Sequence, residues 1–360
     1  MKVVSTVWIP NSVADFEMHA CLSIHAMRGA ATRHCPYEVF VLDGFEKLPK
    51  NYISSLKAQN INIHDASKLT RKILKEYQGL NSFYSAGQGA HYETLCFIRW
   101  LVMKEVMKGD SFLHIDTDLF FQENNEFICN LFEGRTGTFG SPCLTSVSNP
   151  SWLLQYEDAL ARMLVDRSKF QADIGYKGNE FRKDISSDQD LVIAMESTGN
   201  IVNEHMSELN QAFQIFVNPL WPYASPPGRK IRYEDRGGRD FIDGKPVLFW
   251  HLQNNCADYI SRYVCLKNYS SSWLSSYLPQ RLCFPFIQLE PNAENFAFQA
   301  LRDLSWRIIH QKQANGSVNI DDFGSEGFFA RTWISRYFII QRQGREIFTD
   351  NYWWEAGLFE

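Results

Sequence analysis

The chain has 360 residues, of which 45% are hydrophobic and 21% charged, and a formal net charge of -5 at pH 7. That composition excludes a disordered chain, and the acidic balance argues against a general nucleic-acid binder, which carries a basic excess. No apolar stretch reaches the ~18 residues of a membrane span, and Met1 to Pro10 lacks the long apolar core and small-residue cleavage site of a signal peptide. The chain is therefore expected in the cytoplasm. Its eight cysteines form no CxxC pair, which predicts reduced, mostly buried thiols and neither a zinc cluster nor a disulfide framework.

In chain order, "KVVSTVWIP" (2–10) reads as a strand stopped by Pro10 and Asn11. Phe16, Ala20, Ile24 and Met27 give helical spacing across 13–30. "YEVFVLDG" (37–44) is a second strand closed by Asp-Gly, "INIHDAS" (61–67) a third, and a charged helix follows near 68–76. "HYETLCFIRWLVMKEVM" (91–107) is a long helix whose apolar stripe is Leu95, Ile98, Leu101, Val102 and Val106. A strand over 111–116 ends at Asp116. Alternating strands and helices predict a mostly parallel sheet with helices on both faces, and such sheets gather ligands at the carboxyl ends of their strands.

Further on, 136–144 reads as one strand, 150–166 and 186–197 as helices, and 213–225 as an extended, proline-broken stretch. Residues 226–246 read as a long loop bearing Arg229, Lys230, Arg232 and Arg239, and "PVLFWHLQN" (246–254) as a strand. A boundary is expected near 270–290, dividing residues 1–270 from an aromatic-rich, helical region over 271–360 that contains Trp273, Trp306, Trp333, Trp353 and Trp354. A helix over 294–312, with Phe298, Leu301, Leu304 and Ile308 beside Arg302 and Arg307, is a candidate for core packing, acceptor or oligomer contacts, or a membrane-surface patch at the inner membrane face.

The stretch "FLHIDTDLFF" (112–121) places two carboxylates inside apolar sequence. In extended chain, side chains two apart point the same way, so Asp116 and Asp118 converge if the strand continues. Two such carboxylates repel and lose hydration unless a cation compensates, and a hard divalent ion also keeps sites for phosphate oxygens. The plainer alternative is an exposed turn at a strand tip. His251, set in "VLFWHLQN", is either a satisfied core histidine or a third ligand; a nitrogen beside carboxylate oxygens favours Mn²⁺ over Mg²⁺. Asp188-Gln189-Asp190 follows Ser186-Ser187, so it is either a helix cap or a pair of side chains presented beside a reacting carbon.

Together, "STVWIP", "ETLCFIRW", "FLHIDTDLFF", "SDQDLVI", "FVNPLWPY" and "VLFWHLQN" resemble a nucleotide-sugar-dependent glycosyltransferase of the GT-A fold, in particular the retaining type of glycosyltransferase family 8, the glycogenin and bacterial lipopolysaccharide galactosyltransferase group. The resemblance spans residues 1–265 or so. It implies a UDP-sugar donor, a glycan, lipid-linked or protein acceptor, and a role in bacterial surface glycan synthesis. It also implies Mn²⁺ or Mg²⁺ held by Asp116, Asp118 and His251. Thr6, Val7 and Asp43 would lie near the nucleoside, Thr117 beside the diphosphate within the D-x-D motif, and Arg99 near the diphosphate or donor sugar. Asp188 and Gln189 would line the sugar pocket at the anomeric carbon, and Asp190 is the candidate base if configuration is inverted. The family's "HFxG...KPW" ending is absent, since Leu252, Gln253 and Asn254 follow His251; the basic residues of the long loop are candidates for the missing charge. Two rival readings are a sugar nucleotidyltransferase, against which "WIPNSVADFEM" offers no Gly-rich loop, and a non-catalytic sugar- or partner-binding protein.

Overall fold

Strand β1 (Lys2–Trp8) is covered on both faces, with Val3, Val4, Ser5, Thr6 and Val7 all buried, as the interior strand of a parallel sheet must be. The computed structural model describes residues 1–10, 22–27, 30–80, 90–121, 123–139, 142–178, 184–204, 206, 208–217, 233–236, 239–242, 244–251, 318–319, 338–341 and 346–349. After β1 come α1 (Leu22–Met27), β2 (Tyr37–Asp43), α2 (Lys50–Ala58), β3 (Ile61–Asp65), α3 (Ser67–Glu76), α4 (Ala90–Met107), β4 (Phe112–Ile115) and β5 (Leu119–Phe121). Then follow α5 (Asn125–Phe132), β6 (Thr136–Thr138), β7 (Leu144–Val147), α6 (Ser151–Val165), α7 (Arg167–Asp173), α8 (Asp188–Ser197) and α9 (Leu209–Ala212).

The chain divides into two compact units. The first comprises Met1–Phe16, His25–Leu119 and Glu123–Gln211; the second comprises Glu17–Ile24, Phe120–Gln122 and Ala212–Glu360. The sequence-based boundary near 270 lies outside the described residues.

The first unit holds a six-stranded sheet in the order β3-β2-β1-β4-β7-β6. β1, β2, β3 and β4 run parallel, and β7 is antiparallel to both β4 and β6. The expected mixed α/β architecture is present. Strand order reverses at β1: the chain moves outward to β2 and β3, then returns to β4 on the other side. The carboxyl ends of β1 and β4 therefore flank the switch point where such sheets bind ligands. One layer of helices packs on the face carrying Val4, Phe112 and Val147. It contributes Phe97, Ile98, Trp100 and Leu101 from α4, Trp152, Tyr156 and Leu160 from α6, and Leu191, Val192 and Met195 from α8. Trp100 and Trp152 meet edge to face, their centroids 4.9 Å apart, a geometry that aromatic quadrupoles favour.

Two local expectations need correction. The single strand expected over 136–144 is a hairpin, β6 and β7, because the segment reverses before Leu144. Helix α2 carries little sequence signal, since its buried stripe is only Tyr52 and Leu56, too short for helical period to register. The loop expected over 226–246 contains a hairpin of β9 (Tyr233–Arg236) and β10 (Arg239–Ile242), in which Arg239 is in register with Arg236. Arg229, Lys230 and Arg232 lie outside the described residues.

In the second unit, β8 (Gln214–Val217) runs parallel to β11 (Lys245–His251), within a sheet ordered β5-β11-β10-β9. Val247, Leu248 and Phe249 of β11 are fully buried, as the apolar run predicts. A separate three-stranded sheet pairs β14 (Glu346–Thr349) with β12 (Val318–Asn319) and β13 (Phe338–Gln341). The described parts of the C-terminal region are thus strands, in keeping with the β-branched and aromatic residues of "FIIQ" and "EIFT". The helix expected over 294–312 and the five C-terminal tryptophans lie outside the described residues. Among the described residues no helix is long and apolar enough to cross a membrane.

A pH dependence is built into the seam between α8 and β6. Glu196 accepts hydrogen bonds from the Thr138 amide at 2.7 Å, the Thr138 hydroxyl, and Asn203 Nδ2 at 3.1 Å. Burial raises its carboxyl to about 7 from 4.5, while Thr138 and the Trp152 indole pull the other way. The folded-state value is raised, so this group's contribution to stability is fully present below pH 4.5 and is lost as pH rises through about 7. Denaturation midpoints measured from pH 4.5 to 8 should therefore fall less steeply for Glu196→Gln than for the parent chain.

Candidate active site

The D-x-D motif sits at the carboxyl end of β4, yet it is not extended. Leu119 N donates to Asp116 O at 2.9 Å, closing a turn between β4 and β5. Strand periodicity therefore does not orient Asp116 and Asp118 together; the turn sets their directions. That turn is fixed on several sides. Asp116 N donates to Cys143 O at 2.7 Å, and His25 Nε2 donates to Thr117 O at 2.9 Å. One residue earlier, Ser5 Oγ donates to Ile115 O and receives the Tyr37 hydroxyl at 2.6 Å. His25 and Tyr37 also meet edge to face, 5.4 Å between ring centroids. His25, Ser5 and Tyr37 are all fully buried, so the backbone of the motif is held from beneath by side chains that the sequence reading did not single out. No spacing links them: they come from three separate elements.

Arg99 joins two motifs that lie far apart in sequence. Its Nη1 reaches Asp116 Oδ1 at 2.7 Å. Its Nε and Nη2 both reach Asp188 Oδ2, at 2.9 and 2.7 Å. Trp100 Nε1 adds a third bond to the same oxygen at 3.1 Å. The structure thus brings together Arg99, Asp116 and Asp188, the polar residues of α4, the D-x-D turn and the start of α8. Burial works against the Arg99 charge, but Asp188 and then Asp116 outweigh it, so the guanidinium holds its proton more tightly than usual. Burial raises the Asp188 carboxyl above its ordinary value, and Asp116 adds to this; Arg99 and Trp100 oppose it. Three N–H groups converge on one Asp188 oxygen, a set of donors that favours the carboxylate against its burial. One guanidinium thus serves two acidic side chains, with Asp116 at the outer side, its side chain 33% exposed.

The residues beneath this cluster are also committed. Thr6 Oγ1 shares a hydrogen bond with His114 Nε2 at 3.2 Å, and His114 packs against Trp100 with centroids 4.7 Å apart. Burial, then the Arg99 charge, lower the His114 imidazole to about 3, against weaker contributions from Asp116 and the Pro142 backbone. It is neutral at physiological pH. Thr6 therefore lies inside the sheet–helix seam, and Val7 is buried against β2 in register with Val41.

Asp43 ends β2, and its carbonyl accepts Ile9 N at 3.0 Å. Gly44 follows at φ +77°, where a Cβ would collide with the Ile9 carbonyl oxygen; glycine is required for this close approach. Asp43 Oδ2 lies 3.4 Å from His91 Nε2. Trp8, at the end of β1, meets Tyr92 edge to face at 5.0 Å. His91 and Tyr92 on the first turn of α4 thus form a rim over β1 and β2. Their only sequence signal is position, at the start of the helix that carries Arg99.

The Ser-Ser-Asp-Gln-Asp stretch is a helix start. Ser187 caps α8, its hydroxyl accepting Asp190 N at 3.1 Å, while Asp190 Oδ2 accepts from Ser186 N, Ser186 Oγ and Ser187 N at 3.1, 3.0 and 3.1 Å. This is a capping box. Asp190, the base expected for an inverting route, is thus engaged at the cap. Asp188 is buried and Gln189 exposed.

Asp116 and Asp118 supply hard oxygen donors on one turn, which suits a divalent ion that completes its shell with water or phosphate. Among the described residues no three His, Cys, Asp or Glu side chains are grouped to hold a metal ion. His251 ends β11 in the second unit and is buried there.

No protein-family model and no curated protein sequence matches the chain. Among solved structures, mouse xyloside xylosyltransferase 1 in its apo form aligns with 56% of this chain and 83% of its own, at 12% identity and a TM-score of 0.38. Likeness at that level carries no weight for fold or chemistry, which stand on the chain's own strands and side chains.

Proposed function

We propose that the chain is a nucleotide-sugar-dependent glycosyltransferase that moves a sugar from a UDP-sugar to an acceptor hydroxyl with retention of configuration. The observation that supports it most is the Asp116–Arg99–Asp188 cluster, buried at Arg99 and Asp188 and open at Asp116, at the carboxyl ends of the parallel strands. It joins a D-x-D turn to the start of a helix at the place where this sheet topology receives ligands. A divalent ion on Asp116 and Asp118 would supply Lewis-acid neutralisation of the leaving diphosphate. His251 as a further ligand rests on the family resemblance alone.

In this reading the chain's own residues divide the work by exposure. Asp188 is buried behind Arg99 and holds the guanidinium in place. Arg99 in turn fixes Asp116 and keeps positive charge beside the diphosphate. Gln189, exposed at the first turn of α8, is the group available to face the anomeric carbon and stabilise the oxocarbenium-like charge. The acceptor hydroxyl attacks from the leaving-group side and passes its proton to the departing phosphate oxygen. Asp190's engagement in the capping box favours this route over one with Asp190 as general base.

The test is release of UDP from a panel of UDP-sugars with Mn²⁺, without acceptor. Slow, metal-dependent UDP release with at least one sugar is expected. Binding without turnover would favour the non-catalytic alternative, and pyrophosphate release from UTP and a sugar 1-phosphate would favour the nucleotidyltransferase.

A further inference from the structure

Cys35 and Cys129 are both buried free thiols, and their sulfurs lie 3.1 Å apart. A disulfide at ~2.05 Å requires the sulfurs to close by only about 1 Å. The elements that carry them are already docked. Asn125, at the start of α5, donates its backbone N–H to Ala30 O at 2.7 Å and its side-chain amide to Cys35 O at 3.4 Å. Cys129 lies four residues further along α5, on the same helix face. The helix and the stretch leading into β2 are thus held in register at two points, and the sulfurs meet at a third. Neither thiol has a part in the proposed transfer chemistry.

We infer that Cys35 and Cys129 are a redox-active dithiol, a covalent modification site that closes to a disulfide on reaction with a small-molecule disulfide. The Cys35 thiolate attacks one sulfur of the small disulfide, forming a mixed disulfide and releasing one thiolate. Cys129 then loses its proton, attacks the Cys35 sulfur, closes the protein bridge and releases the second thiolate. Two electrons pass from the protein thiols to the small disulfide, which leaves as two thiols. The order of attack follows from the contact: the hydrogen bond from Cys129 lowers the Cys35 thiol, while that same bond and burial raise Cys129. The bridge would join positions 94 residues apart, a long loop whose closure restricts the unfolded chain.

The full chain is treated with oxidised glutathione, and a second sample is unfolded and refolded in a glutathione redox buffer, where access to the buried thiols does not limit the reaction. Non-reducing peptide mapping should show a Cys35–Cys129 cross-link with a mass loss of about 2 Da and a rise in Tm of roughly 5–15 °C that reductant reverses. Cys129→Ser should stop at a glutathione adduct on Cys35, and Cys35→Ser should give neither product at these positions. A cross-link formed only on refolding also supports the pair. Its absence from both samples, or pairing of either cysteine with another thiol instead, overturns the inference.

Discussion

Replacing Arg99 by Ala is expected to cost the fold about 3–5 kcal/mol, because it strands a buried carboxylate. Asp188 is 4% exposed and receives two N–H groups from Arg99 on one oxygen. Without them only the Trp100 indole faces that oxygen among the bonds described above. Asp116 loses less, since its side chain is a third exposed and water can replace the guanidinium. Domain stabilities are about 5–15 kcal/mol in all, so urea denaturation should show the loss plainly. Arg99→Lys should fall between parent and Ala variant, because one ammonium cannot serve both carboxylates with the same fork geometry. The double change Arg99→Met with Asp188→Leu should recover much of the stability, since the stranded charge goes with its partner. The pH dependence has a definite sign. Asp188 already titrates above its ordinary value, and removing Arg99 pushes it higher. A raised folded-state value gives stability at low pH that is lost as pH rises through it. The Ala variant should therefore lose most ground against the parent above that value. An Ala variant as stable as the parent at pH 7.5 would dismiss the cluster as a structural element.

Asp118→Ala should lower metal-dependent UDP release by on the order of 10²–10³-fold, the range typical of losing one preorganised electrostatic group. Asp118 sits in a turn, half-buried, and the backbone of that turn is held by Cys143 O, the His25 side chain and Leu119 N. Its Tm should accordingly stay within a few degrees of the parent. Parent-level, Mn²⁺-dependent turnover by this variant would defeat the proposed function. Failure of both parent and variant to bind any nucleotide sugar would defeat it sooner. Neither outcome bears on the thiol pair.

The strand–helix alternation of the first 120 residues was legible because β1, β2 and β4 are short runs of β-branched and apolar residues closed by turn residues, and α4 is a long, largely apolar run of 18 residues that ends before Gly109. Burial on both sides of β1 makes such runs continuous rather than alternating. The hairpins of β6–β7 and β9–β10 were not legible. Their reversals fall within segments whose composition also suits one strand or a loop, and only pairing partners distinguish the cases. At the site, the sequence singled out Arg99, Asp116 and Asp188 but not the ion pairs among them. Partner choice depends on the approach of α4 and α8, which no local pattern encodes. Asp190 shows the opposite case: Ser187 three residues before an acidic residue is itself a capping signature, and the structure follows it. His25, Tyr37 and Ser5 carry no motif at all, since each acts through a backbone carbonyl or a neighbouring hydroxyl.

The sheet order also bears on how the chain acquires its shape. Val4 pairs with His114 and Lys2 with Phe112, so β1 waits for a partner more than a hundred residues downstream. Pairings so distant carry a loop-closure penalty before they return any binding energy, and they slow the search. β1, β2 and β3 can associate early, leaving one flank of β1 unsatisfied until β4 arrives. In that interval the exposed flank is a strand edge of the kind that pairs with other chains, so chains truncated before β4 should aggregate more than chains that include it.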